Sequence, residues 1–377
     1  MLKTFQYRLY PTKKQSRSLA LWLEECRWLY NHLLEQRKTA YEQRGESLTC
    51  FLQQKTLPAL KRERESLAQV HSQVLQNVAV RIDLAFKAFF RCVKAGEKPG
   101  YPRFRGWGRY DSLTFPQHPS GCCLKDGKLL VSKVGHVKIR LHRTFEGIPK
   151  TVTIKRTATG KWFATFSCEW TPTPLRKSDE VVGVDLGLTA FATLSTSEKI
   201  TNPRFVRREE KTLAQAQRKL SQQPKGSPER IKRRKVVARV HERIAWKRKD
   251  FIHQHSRRLV NRFGAIAIED LSANRMVHNH CLAKSIMDAA WSGFGELLRV
   301  KAAWAGRAFV AVNPAYTSQD CSRCGHRQPM PLSERTFHCP CCGLVLDRDH
   351  NASLNILAVG LHSLGLALEA PTFRCGK

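Results

Sequence analysis

The chain has 377 residues and is 42% hydrophobic, enough apolar material for a folded core in two or three units. Its 65 Lys and Arg against 31 Asp and Glu give a formal charge of +34, far above what solubility requires. Such a charge points to a polyanionic partner, nucleic acid first, although charge alone leaves open a histone-like, ribosome-associated or membrane-surface protein. The N-terminus has no apolar run of signal-peptide length, and a cytoplasmic protein is expected. The longest uncharged stretch, Asn351 to Leu368, contains Asn355 and His362 and is read as a buried helix, so no membrane partner is expected.

In chain order, Thr12 can cap a helix whose apolar positions Leu19, Leu23, Cys26, Tyr30 and Leu33 recur at helical spacing. A second stripe follows at Val74, Val78, Ile82, Ala85, Phe89 and Val93. Gly96 to Gly108 is a basic connection carrying Tyr101, Phe104 and Trp107; such a mixture can contact a nucleic-acid backbone and stack bases, or form a surface loop with anchoring aromatics. From about Leu124 to Trp170 the pattern alternates, with turns at Asp126-Gly127 and Thr159-Gly160, and predicts a small antiparallel sheet or barrel. Thr171-Pro-Thr-Pro is a linker, and Val181–Val184 a strand ending at Asp185. Arg204 to Arg258 is mostly helical with an interruption at Pro224–Pro228, and Lys232, Arg233, Arg234, Lys235, Arg239, Arg243, Lys247 and Arg248 are candidate phosphate contacts, against the bland alternative of a solvated helix face. Ala265–Ile268 reads as a buried strand ending at Glu269, with Asp270 pointing away.

Two sets of residues carry chemistry. Cys321-x-x-Cys324 and Cys339-x-x-Cys342 are knuckles separated by fourteen residues, the spacing of a closed, structural four-thiolate zinc site, and Gly325 and Gly343 supply the turn after each. His326, His338 and Cys341 lie close enough to compete, but the paired spacing favours the four cysteines. Cys26, Cys50, Cys92, Cys122, Cys123, Cys168, Cys281 and Cys375 are irregularly placed and expected to be ordinary reduced residues. The second set is Asp185, Glu269 and a third acid near residue 348. Clustered carboxylates can hold two divalent ions about 3.5–4 Å apart for phosphodiester hydrolysis. Asp347 and Asp349 compete for the third position; Asp349, opening the helical pattern after it, is favoured.

In their order these motifs resemble the TnpB family, RNA-guided DNA nucleases of bacterial and archaeal insertion sequences that are similar to the nuclease of compact type V CRISPR effectors. The resemblance runs through Phe5-Gln-Tyr-Arg-Leu-Tyr-Pro, Tyr30-Asn31, Gly100-Tyr-Pro-Arg-Phe, Gly183-Val-Asp-Leu-Gly187, Glu269-Asp-Leu, Tyr316 to Gly325, both knuckles and Asp347-Arg-Asp-His-Asn-Ala. It implies an α/β chain with all-β and all-α modules: a wedge β-barrel at 1–15 and 101–175 carrying a helical recognition insertion at 16–100. A RuvC-like, RNase H-type nuclease domain at 176–319 and 343–377 would follow, interrupted by a zinc ribbon at 320–342. The resemblance further implies catalysis by Asp185, Glu269 and Asp349 with two Mg²⁺, or Mn²⁺ in their stead. One structural Zn²⁺ would sit on Cys321, Cys324, Cys339 and Cys342. The partners implied are a guide RNA from the end of the element and matched double-stranded DNA, in a monomeric ribonucleoprotein. Two other classes stay open, a nuclease-inactive RNA-guided repressor and a conventional DNA-joining transposase.

Overall fold

A computed structural model describes residues 1–272, 276–331 and 333–366. The chain divides into two compact units, Met1–Thr171 and Pro172–Lys377.

The first unit is built on β1 (Leu2–Tyr10), a strand whose alternate residues Phe5, Tyr7 and Leu9 are buried. Thr12 then starts α1 (Lys13–Arg44) through a capping box: its hydroxyl accepts from the Gln15 N–H at 3.2 Å, and Gln15 Oε1 accepts from the Thr12 N–H at 3.0 Å. Helices α2 (Cys50–Glu63), α3 (Glu65–Ala68) and α4 (Ser72–Lys94) follow. The chain then returns to the sheet as β2 (Ser112–Phe115), β3 (Cys122–Lys125), β4 (Lys128–Val131), β5 (Gly135–Arg140), β6 (Ile148–Arg156) and β7 (Trp162–Glu169). All pairings are antiparallel, in the order β2-β6-β7-β1-β5-β4-β3, so β1 is central although it comes first. The inward stripes of α1 (Leu19, Trp22, Leu23, Cys26) and α4 (Val74, Val78, Ile82) share one core with the sheet. Among the described residues β2 and β3 do not pair with each other, so the barrel-like sheet stays open along that edge.

The second unit holds a mixed sheet in the order β10-β9-β8-β11-β12: β8 (Val181–Leu186), β9 (Ala190–Leu194), β10 (Lys199–Thr201), β11 (Ala265–Glu269) and β12 (Ala308–Val312). β8 and β9 are antiparallel, whereas β11 runs parallel to both β8 and β12. The connection from β10 to β11 is α5 (Phe205–Ser221) and α6 (Pro228–Arg262), parted where Pro224 and Gly226 interrupt the helix; α7 (His280–Ala289) and α8 (Trp291–Ala305) precede β12. On one face of the sheet Val182, Val184, Ile266 and Ile268 pack with Leu259, Phe263, Phe294 and Leu298. On the other face lies α9 (Arg348–Ser363), seated against Ala267, Val310 and Val312 through Ile356. That close seat needs small residues: a Cβ on Gly183 would fall 2.1 Å from the Ser353 carbonyl oxygen, and one on Gly360 2.3 Å from the Ala267 Cβ. The uncharged stretch beginning at Asn351 is thus half-buried helix as far as Ser363; Cys375 and the end of that stretch lie outside the described residues.

Candidate metal centres

Strand alternation decides where the acids point. Gly183 and Ala267 face α9, so Asp185 and Glu269, two residues further along β8 and β11, face it too. The register pairs Ala267 with Gly183 and Ile268 with Val184, which brings Glu269 beside Asp185 at the carboxyl ends of adjacent parallel strands. Glu269 is held by its Oε1, which accepts the Leu186 N–H at 3.0 Å. Asp185 is pushed well above the ordinary carboxylate range, by burial first, then by a hydrogen bond with Glu269 and the charges of Glu269 and Asp349; Arg348 pulls the other way. All three carboxylates are half-buried.

At the third position the two aspartates have different surroundings. Asp347 is the N-cap of α9, its Oδ1 accepting the His350 N–H at 3.1 Å and its Oδ2 taking Lys199 Nζ at 2.7 Å. Burial opposes its ionisation, yet the bonds from Lys199 and from the His350 and Asp349 amides hold its carboxyl below the usual range. Asp349 stands in the first turn, near Asp185, with Arg335 4.0 Å away. A divalent cation fits this arrangement, because it would relieve the like-charge crowding that raises Asp185. The three carboxylates do not, however, meet within 4.8 Å of one another; among the described residues only the cysteines do.

The Sγ atoms of Cys321, Cys324, Cys339 and Cys342 all lie within 4.8 Å, with Cys321 to Cys342 and Cys324 to Cys339 each at 3.6 Å. Thiolates around a tetrahedral zinc at about 2.3 Å stand roughly 3.8 Å apart, so the tetrad fits that ion. Each knuckle closes as the spacing requires: Gly325 N–H donates to Cys321 C=O at 2.9 Å and Gly343 N–H to Cys339 C=O at 3.0 Å, both glycines being left-handed. Burial first, then hydrogen bonds with the Cys342 and Cys339 thiols, push the Cys321 thiol up to about 12, against the pull of the Cys324 and Arg323 amides. At Cys339 burial acts the same way but is outweighed by the Cys342 and Cys341 amides together with the Cys324 and Cys321 thiols, which bring it down to about 7. β13 (Thr336–His338) and β14 (Val345–Asp347) flank the second knuckle, and β14 runs directly into α9.

A clamp that spacing alone does not reveal joins the tetrad to α9. Asn351, fully buried, accepts the Ser322 N–H at 3.0 Å and donates to Asp320 C=O at 2.8 Å, gripping the backbone on both sides of Cys321. Asn355 donates to the Asp320 and Thr317 carbonyls at 2.7 and 2.8 Å. The sequence signal was present: both asparagines lie on one face of α9.

The basic run on α6 is less open than its composition suggests. Lys232 and Arg233 pair with Glu229 at 3.5 and 3.0 Å, and Arg243 and Lys247 with Glu209 of α5 at 3.3 and 3.1 Å. Arg248 is half-buried against Asp288, whose second oxygen accepts the Val206 N–H at 2.8 Å, so this arginine fastens α6 to α7 and the start of α5. Arg234, Lys235 and Arg239 are exposed.

Comparison with known proteins defines the class. Residues 165–280 match the family model OrfB_IS605, described as "Probable transposase", and residues 291–356 match the "Cas12f1-like, TNB domain". A third match, to a "Helix-turn-helix domain", covers 1–46, where the chain forms β1 and the single long helix α1. Two of the proteins that bear the name "Putative RNA-guided DNA endonuclease" match nearly the whole chain. The one from Streptomyces pristinaespiralis is 38% identical, over 95% of this chain and 89% of its own length. The other, InsQ of Escherichia coli K12, is 30% identical over 95% and 92%. The fold is similar to that of a Cas12f1 chain solved with sgRNA and target DNA (TM-score 0.56, 15% identity, 92% of this chain and 83% of that one). The chain belongs to the TnpB family. No helix among the described residues is long and apolar enough to cross a membrane.

Proposed function

We propose that this chain is an RNA-guided DNA endonuclease of a transposable element, cutting double-stranded DNA that pairs with its guide RNA beside a short adjacent motif. The observation that carries the reading is the convergence of Asp185, Glu269 and Asp349 on one sheet face in a chain 38% identical to a protein named for that activity. The second unit is then the RuvC-like nuclease domain, with residues 320–342 as its zinc ribbon, and the first unit a wedge barrel with a helical recognition insertion. The working form is a cytoplasmic ribonucleoprotein.

Asp185, Glu269 and Asp349 would hold the divalent ions, Mg²⁺ or Mn²⁺. When bound, those ions supply an activated water and a counter-charge for the leaving oxygen. The side chains bind and orient. Glu269 keeps its direction through the Leu186 amide, and a bound cation would favour the ionised form of Asp185. The four cysteines would hold one Zn²⁺ in a closed structural site without an open position. With base pairing reading the sequence, the protein grips a duplex by backbone and shape, which suits a charge of +34.

The test is cleavage by the purified ribonucleoprotein: changing the guide segment should redirect cutting to a newly matched site beside the same motif. RNA-free protein that cuts the original site equally well would end this reading. The transposase description of the OrfB_IS605 model favours a second one, and an assay scoring joined DNA ends against free cut ends separates the two.

A further inference from the structure

The segment between α4 and β2 contains side chains that the proposed chemistry leaves unused. Residues 103–109 are all exposed; Phe104 keeps 53% of its surface and Trp107 77%, although tryptophan is usually well buried. The backbone beneath them is nevertheless fixed. Asn31 of α1 grips the Arg105 residue from both sides, its Oδ1 accepting the Arg105 N–H at 2.7 Å and its Nδ2 donating to the Arg105 carbonyl at 3.0 Å. Arg27 adds a bond to the same carbonyl at 3.2 Å, and the Gly108 N–H donates to Glu24 Oε1 at 3.3 Å. Just upstream, the Tyr101 ring packs edge-on against Phe86 and Phe89 of α4, at 5.7 and 5.5 Å. From residue 87 to 109 there are seven lysines and arginines and one acid, Glu97.

We propose that Phe104 and Trp107 form a stacking platform for unpaired bases of RNA. The cations around the rings suit a phosphate backbone, and every base offers a face to an aromatic ring. Because the loop is already pinned to α1, little ordering cost opposes the contact. RNA is the occupant that fits. Paired DNA hides its base faces in the stack, whereas a folded RNA exposes them in loops and bulges, where aromatic side chains take them. The identity of that RNA as the guide rests on the function proposed above.

Ultraviolet crosslinking of the intact ribonucleoprotein, followed by peptide mass spectrometry, should put an RNA nucleotide on the peptide containing Phe104 and Trp107. Trp107→Ala should weaken binding of the copurifying RNA about 5- to 100-fold, the range for losing one stacked base. Trp107→Phe should retain most of the affinity, and neither variant should shift the melting temperature of the free protein. Unchanged RNA affinity in both Trp107→Ala and Phe104→Ala, or a crosslink there to target DNA or to another protein, overturns the platform while leaving the guide-RNA function standing. Wild-type protein that binds no RNA overturns both.

Discussion

The tetrad of cysteines and the trio of carboxylates are assembled by opposite means. The cysteines lie between residues 321 and 342, and two short turns gather them with Sγ atoms 3.6 Å apart in pairs. The carboxylates lie between residues 185 and 349 and share one face only because β11 joins β8 in parallel and α9 crosses that face. Soft thiol groups can be neighbours without a metal. Gathered carboxylates oppose one another's ionisation, and Asp185, raised by burial first and then by Glu269 and Asp349, shows it. A site made by local spacing depends on its own loop, whereas one made by topology depends on the register and packing of a whole sheet.

The largest expected effect is on the trio. Asp185→Ala or Glu269→Ala should lower cleavage of a matched target by about 1000-fold or more, since each removes metal-borne charge stabilisation of several kcal/mol. Guide-dependent DNA binding should survive. Cutting by Asp185→Ala at wild-type rate would remove the trio from the chemistry. Next comes the tetrad: metal analysis of the purified chain should find about one zinc, and Cys321→Ser or Cys342→Ser should lose it and melt earlier. A zinc-free protein with wild-type stability would break the contrast from the other side.

A subtler probe leaves every ligand in place. Gly183→Ala drives a methyl into the Ser353 carbonyl of α9 and should cost about 1–3 kcal/mol by overpacking, with cleavage reduced while zinc content is unchanged. Equal loss of zinc would mean that the two sites share one scaffold more fully than their assembly suggests. The smallest effect is expected from Asp347→Ala, which removes a helix cap worth about 1 kcal/mol and leaves Asp349 in position. Because the folded-state pKa of Asp347 is depressed, its contribution is complete above the ordinary aspartate value, about 4, and fades as pH falls through the lowered one. The stability gap between wild type and Asp347→Ala should therefore narrow in acid; a gap independent of pH would deny the capping carboxylate its charge.

The same division explains what could be read beforehand. The knuckles were legible because their spacing is itself the geometry, and the strands ending at Asp185 and Glu269 were legible as short apolar runs between polar segments. Asp349 could be preferred to Asp347 from the helical pattern after it, but the capping bonds that separate the two roles needed coordinates. The central position of β1 was invisible locally: its alternation of Phe5, Tyr7 and Leu9 marks a strand, yet nothing nearby says that its partners are residues 135–140 and 162–169. The basic run on α6 was legible as composition, but its ion pairs were not. Glu209 and Asp288, which engage Arg243, Lys247 and Arg248, come from other helices and cannot be counted within the run.

With the two proposed ions in place, the grip of Asn351 on the backbone around Cys321 would make the occupancy of one a term in the affinity for the other. Whatever orders the first knuckle also anchors the opening turn of α9 and so the direction of Asp349; by linkage the influence must run both ways. Chelating zinc should then weaken the binding of Mn²⁺ to the carboxylates, and saturating Mn²⁺ should slow zinc loss to a chelator. Asn351→Ala should uncouple the pair: calorimetry with Mn²⁺ should give one weakened affinity, indifferent to whether zinc is present. On the function proposed above, zinc scarcity would then loosen the hold of the carboxylates on their own ion.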